Sequence, residues 1–279
     1  MRLPKLRTLN EYTVPKGIDI NGCNRVALNI DGVKISFLAP PHRPVLKEEK
    51  PIFSKKEISR NDARSYISRD TKGRWRSGVH FSRSFAFSGP VFTGAIAELG
   101  VDLVFYNTKL KRSSETAFNP GFLEHSLFEI LTLRYSDQKS YWASSWRAPF
   151  NWCVRGVNGA PSVSYDTARV HGGGDFFKEY AFPIFDDVFV LLRFREVQMT
   201  NGSLEQMDKL ISREPLDQLA NDIIKSVQVE LPEEAKQQLA RARQEFPNVQ
   251  LSQDVQPLKW TTEEEDRKHA EYLANPENY

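Results

Sequence analysis

Tyr180-Ala-Phe-Pro-Ile-Phe185, then Asp186-Asp187, then Val188-Phe-Val-Leu-Leu-Arg-Phe194 is the stretch on which the fold class turns. Two runs rich in aromatic and β-branched residues flank a short polar turn, which is the pattern of a β-hairpin. In the second run Val188, Val190, Leu192 and Phe194 share one face, and Phe189, Leu191, Arg193 and Arg195 share the other. Working outward, the same pattern recurs. Arg25–Ile30 and Val33–Leu38 flank Asp31-Gly32, a strong hairpin signal, with Val33, Ile35 and Phe37 alternating with Lys34 and Ser36. Asn151–Val157 and Ser162–Arg169 flank Asn158-Gly159, although Pro161 is expected to loosen that pair. Val79–Phe87 and Ala95–Asn107 add two more alternating runs. Phe122–Tyr135 reads two ways: Leu123, Leu127, Ile130 and Leu131 suit a helix, while Leu131, Leu133 and Tyr135 suit a strand, the reading preferred for its end.

After Thr200 the period changes to that of helices. Ser203-Leu-Glu-Gln206 is a capping box, and Leu204, Met207 and Ile211 follow at helical spacing. Leu216, Leu219, Ile223, Ile224 and Val227 form an apolar stripe. Pro232 starts another helix over Glu233–Phe246, Pro247 stops it, and Thr262-Glu-Glu-Glu265 caps a last one that runs to about Ala274. Strands first and helices afterwards define an α+β protein: a twisted antiparallel sheet built from hairpins, with helices concentrated after residue 203. Residues 1–200 are expected to form the sheet region and 201–279 a helical region packed on it as one unit. Pro40, Pro41, Pro44 and Pro51 mark a polar, basic insertion at about 40–75, with a short helix near Ser59–Ile67.

Hydrophobic residues make up 40% of the 279 residues, enough for a core that needs no staples. The net charge of +2 gives no overall field to recruit nucleic acid, so such binding is a minor reading. Charge is nevertheless uneven. Residues 47–76 hold ten basic and five acidic side chains, and residues 229–279 hold six basic and eleven acidic. These runs are expected to be solvated faces, which can also steer a charged partner. Spacing leaves a disulfide between Cys23 and Cys153 open, but the low count fits a reducing compartment; Cys153, between Trp152 and Val154, is expected to be buried and inert. Without a secretory leader pattern or an apolar run of about 20 residues, the reading is a cytoplasmic protein with no membrane span.

No chemical motif is complete. His171-Gly-Gly-Gly174 and Asp175 resemble an oxyanion loop, but no G-x-S-x-G elbow accompanies them. His171 and Asp175 are therefore weak catalytic candidates, and a glycine connector between hairpins explains the loop fully. The five histidines are scattered, so neither a metal nor a cofactor is expected. The most unusual local composition is aromatic: Tyr135, Tyr141, Trp142, Trp146, Phe150 and Trp152, with Arg147 among them. Trp, Tyr and Arg dominate interface hot spots, so Tyr141, Trp142, Trp146, Arg147 and Trp152 are the candidate partner-binding residues. The same side chains also pack well as core beneath a sheet.

Trp146-Arg-Ala-Pro-Phe-Asn-Trp152, Ala160-Pro-Ser-Val-Ser-Tyr165 and Tyr180–Phe185 together resemble the immunity-type proteins encoded beside bacterial type VI secretion effectors. The last segment, with Val188–Phe194 and the Leu216–Val227 helix, also resembles the closing strand–helix pattern of PsbP-like sandwiches. The resemblance implies a neutraliser that binds one toxin tightly and turns nothing over. The expected function is thus a non-enzymatic bacterial protein that occludes or chaperones a protein partner. The alternatives are a hydrolase with a site near His171–Asp175 and a structural component of a bacterial assembly.

Overall fold

In the computed structural model, residues 11–53, 57–62, 65–66, 68–69, 74–108, 115–171 and 174–275 are described. The first hairpin pairs β1 (Asn24–Ile30) with β2 (Val33–Ala39). Two short strands, β3 (Ile52–Phe53) and β4 (Ser68–Arg69), then lead to the long strands β5 (Trp75–Ser88) and β6 (Ala95–Thr108). Helix α1 (Pro120–Tyr135) precedes a small hairpin of β7 (Lys139–Ser140) and β8 (Ala143–Ser144). Strands β9 (Trp146–Val157), β10 (Ala160–Arg169), β11 (Phe176–Phe185) and β12 (Val188–Gln198) complete the main sheet. Then come α2 (Leu204–Asp208), α3 (Glu214–Lys225), β13 (Gln228–Glu230), α4 (Glu233–Glu245) and α5 (Glu263–Ala274).

The main sheet has eight antiparallel strands in the order β3-β5-β6-β12-β11-β10-β9, with β4 also on β5. The Asp186-Asp187 hairpin lies at its centre, and β12 runs in register along β6 from Val188↔Asn107 to Gln198↔Ala97. Central position explains why both faces of β12 are apolar. Val188, Val190, Leu192 and Phe194 join the core beneath β1, β2, α3 and α4, whereas Phe189 and Leu191 join a second core beneath α1. A sheet covered on both sides loses the simple alternation of one wet and one dry face.

The turn predictions hold at the level of backbone angles. Asp31-Gly32 (φ 44° and 86°) and Asn158-Gly159 (φ 48° and 75°) take the left-handed conformations of a type I′ turn. Pro161 does not loosen the second hairpin. It pairs with Gly156, and the β10–β11 ladder begins only at Val163, so its missing N–H interrupts nothing.

Residues 122–135 are a correction: the segment is helical to its end. Asn119 caps it by accepting from the Gly121 N–H, and Pro120 fixes its first turn. Leu123, Leu127, Ile130, Leu131 and Tyr135 stay on one buried face, while Leu133 is 38% exposed, as helical and not strand periodicity requires.

The C-terminal helices are bound into the same body. β13 pairs with β2, placing Val229 opposite Ile35, and Leu216, Leu219, Ile223, Leu239 and Ala242 share a core with Val26, Phe37 and Phe182. The basic insertion is attached at Arg43 and Ile58, which bridge to Phe85 and Ile30, and Arg60 meets Glu234 of α4 at 2.6 Å. The helix expected near Ser59–Ile67 falls partly outside the described residues. Both cysteines are free, and Cys153 is exposed, not buried, because β9 is the last strand of the sheet. Among the described residues no helix is long and apolar enough to cross a membrane.

Candidate functional site

The aromatic cluster of residues 135–152 divides into an inner and an outer set. Trp146 is only 8% exposed. It stacks on Tyr135 (centroids 4.3 Å apart) and Phe177 (6.0 Å), and its Nε1–H donates to Gln138 at 2.6 Å. Trp152 is half-buried, stacks on Tyr165 at 5.6 Å, and donates to the Ser252 carbonyl at 2.8 Å. Both indoles are thus core residues whose polar ends have found partners. Arg147 is exposed, its guanidinium lying 4.8 Å from the Phe150 ring centroid.

Tyr141 and Trp142 are the outer set. They form the two-residue turn between β7 and β8, with φ of 48° and 65°. This is the backbone of the Asn158-Gly159 turn, built here from two bulky aromatics. A left-handed conformation costs a non-glycine residue roughly 1–2 kcal/mol, so the pair is strained. Helix α5 holds the turn from behind. His269 Nδ1 lies 2.8 Å from the Tyr141 carbonyl, to which it donates in the tautomer protonated there, and Lys139 Nζ meets Glu265 at 2.5 Å. Tyr141, 58% exposed, lies parallel to Tyr272 with centroids 4.3 Å apart and 5° between planes. Capping by Thr262, which accepts from Glu265 N–H, fixes where α5 begins and hence which of its residues reach the turn.

His171 borders the same cluster, its ring 5.8 Å from that of His269. Partial burial, followed by the charge of His269, lowers its pKa from the ordinary value. Asp175 lies instead beside Arg169, at 3.6 Å, and Gly172 and Gly173 fall outside the described residues. Gly174 has a packing reason: a Cβ there would lie 1.7 Å from the Met207 methyl. Ser162 and Ser164 sit in an antiparallel strand, where their hydroxyls accept from Tyr180 (3.1 Å) and Arg155 (3.0 Å). The structure therefore sets His171 beside a second histidine and gives the nearby serines structural partners.

No protein-family model matches this chain, and the search of curated proteins gives no match. Among the described residues no three His, Cys, Asp or Glu side chains gather as a metal site.

Sequence reading missed the buried charges. Glu179 is fully buried on the α1 face, with Arg134 Nη1 at 2.7 Å and Arg193 Nε at 3.3 Å; Arg134 also donates to the Tyr106 hydroxyl. Burial alone would raise the carboxyl's pKa, but Arg134 and Arg193 outweigh it and hold it below the usual range. On the other face Glu196 is 1% exposed, and neither of its carboxyl oxygens meets a hydrogen-bond partner. Burial, with Asp217 adding to it, pushes Glu196 up to about 8 despite Arg213 and Lys178. Asp166 is buried nearby and bonded to Lys178 at 3.0 Å and Asn151 at 2.7 Å. Parity carries the signal that would have found Glu196: it continues the Val188–Phe194 face by one more alternate position.

Proposed function

We propose that this chain is a non-enzymatic binding protein that grips a protein partner with the aromatic turn at Tyr141-Trp142 and occludes that partner's working surface. The observation that carries this reading is the turn itself. Asn-Gly would make the same turn without strain, as it does at 158–159. Strain of this kind is kept where the residue serves something other than the fold. Tyr and Trp at an anchored turn offer large, rigid contact area with few rotatable bonds. The first turn of α5 anchors the aromatic turn through the Lys139–Glu265 contact, while Asp266 and Glu264 pair with Lys259 and Lys268. The matching partner face is then apolar at its centre. The resemblance to immunity-type proteins supports a bacterial toxin as that partner and the cytoplasm as the place of encounter.

The test is capture from lysate of the source cell with two baits, the native chain and Tyr141→Asn/Trp142→Gly, followed by mass spectrometry. A stoichiometric partner held by the first and lost from the second is the expected result. A partner held equally by both baits would remove the turn from the interface.

A further inference from the structure

At the hairpin end of β9, away from the aromatic turn, the sheet edge opens into a cleft of about 470 Å³. Helix α4 walls it on one side through Leu239 and Phe246, and Leu251 walls it on the other. Its floor is the edge of β9 at Val154–Gly156. That edge is open for a geometric reason. In a two-residue hairpin the residues flanking the turn, Val157 and Ala160, exchange both hydrogen bonds, and pairs then alternate. The N–H and C=O groups of Val154 and Gly156 therefore point away from β10. Further along, the chain after α4 covers β9, with the Leu258 N–H donating to the Ala148 carbonyl at 2.8 Å. At the cleft the same connection, through Val249, Leu251 and Gln253, forms the wall, and among the described residues no backbone hydrogen bond joins it to Val154 or Gly156.

Two further features point to an occupant. Gly156 sits inside a strand, and a Cβ built on it would meet nothing within 4 Å. Glycine there is not forced by packing, and a glycine in a strand marks a place where another backbone approaches closely. Arg155 and Arg243 both line the cleft, each oriented by a neutral acceptor: Ser164 Oγ at 3.0 Å and the Gly159 carbonyl at 2.7 Å. Neither forms an ion pair among the described residues, so two guanidinium charges stand beside an apolar floor. An apolar groove, a free strand edge and two unneutralised arginines together fit one chemistry.

We infer that this cleft binds the C-terminal end of an extended peptide, which adds to β9 as a further strand. Its terminal carboxylate lies on Arg155 and Arg243, and its last side chain, an apolar one, rests on Leu239 and Phe246. This site is separate from the aromatic turn and stands or falls independently of it.

The experiment uses a random octapeptide library, tethered by its N-termini and bearing free C-terminal carboxylates, with a C-terminally amidated copy as control. The native chain should retain free-acid peptides ending in an apolar residue, and retain the amides at least tenfold less. Arg155→Gln/Arg243→Gln should lose the discrimination between acid and amide. Gly156→Leu fills open space, so it should abolish retention with an unchanged or raised melting temperature. Tyr141→Asn/Trp142→Gly should bind the library as the native chain does. The inference is overturned if acid and amide are retained equally, or if no peptide is held above the Gly156→Leu background. Binding of sodium decanoate without any peptide retention would likewise overturn it, giving the cleft to a fatty carboxylate.

Discussion

The turns at Tyr141-Trp142 and Asn158-Gly159 share one backbone, with first φ values of 48° in both and second values of 65° and 75°. Only the second is built from residues that the backbone favours. At Gly159 the left-handed φ asks for glycine, and a Cβ there would displace the end of the Arg243 side chain from the carbonyl it donates to. At Tyr141 and Trp142 the left-handed backbone does not favour aromatic rings, and the Tyr141 ring stacks on Tyr272 of α5 while staying 58% exposed. The contrast separates residues chosen for the fold from residues chosen for what they present. The two buried glutamates repeat it inside the sheet: Glu179 lies between two arginines that offset its burial, whereas both oxygens of Glu196 lack a hydrogen-bond partner.

Removing compensation should have the largest effect. Arg134→Met leaves Glu179 buried with Arg193 as its one remaining cation, beside the Tyr165 hydroxyl, and should cost about 4 kcal/mol by denaturant unfolding. Glu179 has a lowered pKa, so its contribution to stability is present above its unfolded value and is lost as pH falls through the folded one. The variant should therefore fall furthest below the native chain near neutral pH, and the gap should narrow in acid. Next comes the exchange that imports strain into a relaxed turn. Asn158→Tyr/Gly159→Trp should cost about 3 kcal/mol, from two left-handed bulky residues and the Arg243 clash. If it proves neutral, left-handed aromatics are cheap and Tyr141-Trp142 is not a strained turn.

Glu196→Gln should go the other way. A raised pKa means the native state holds a proton that the unfolded chain releases, so stability is full below about 4.5 and declines as pH rises toward about 8. The glutamine variant lacks that decline and should exceed the native chain by about 4 kcal/mol at pH 7.5, with the gap closing by pH 4.5. Melting curves across that range decide it. A gap independent of pH would show that Glu196 is not the titrating group.

Much of the fold was legible because its determinants are local. Asp31-Gly32 and Asn158-Gly159 announce their turns, Ser203/Gln206 and Thr262/Glu265 their capping boxes, and Leu216–Ile224 its buried stripe. What escaped depends on neighbours. β13 is three residues long and exists because β2 offers an edge. Cys153 is exposed because its strand is the last in the sheet, which its flanking Trp and Val do not reveal. The candidate site was half legible. Composition places Tyr141 and Trp146 in one cluster, but only the sheet register sends Trp146 inward, and no glycine or asparagine marks Tyr141-Trp142 as a turn.

The smallest expected change in stability tests the central claim most directly. Tyr141→Asn/Trp142→Gly should be more stable than the native chain by about 1–2 kcal/mol, because it restores the residues a type I′ turn favours. The same variant should bind the captured partner at least a hundredfold more weakly, measured by calorimetry on the purified pair. Gained stability with lost affinity is the result this account predicts. A variant that loses stability, or one that keeps the partner's affinity, would contradict it.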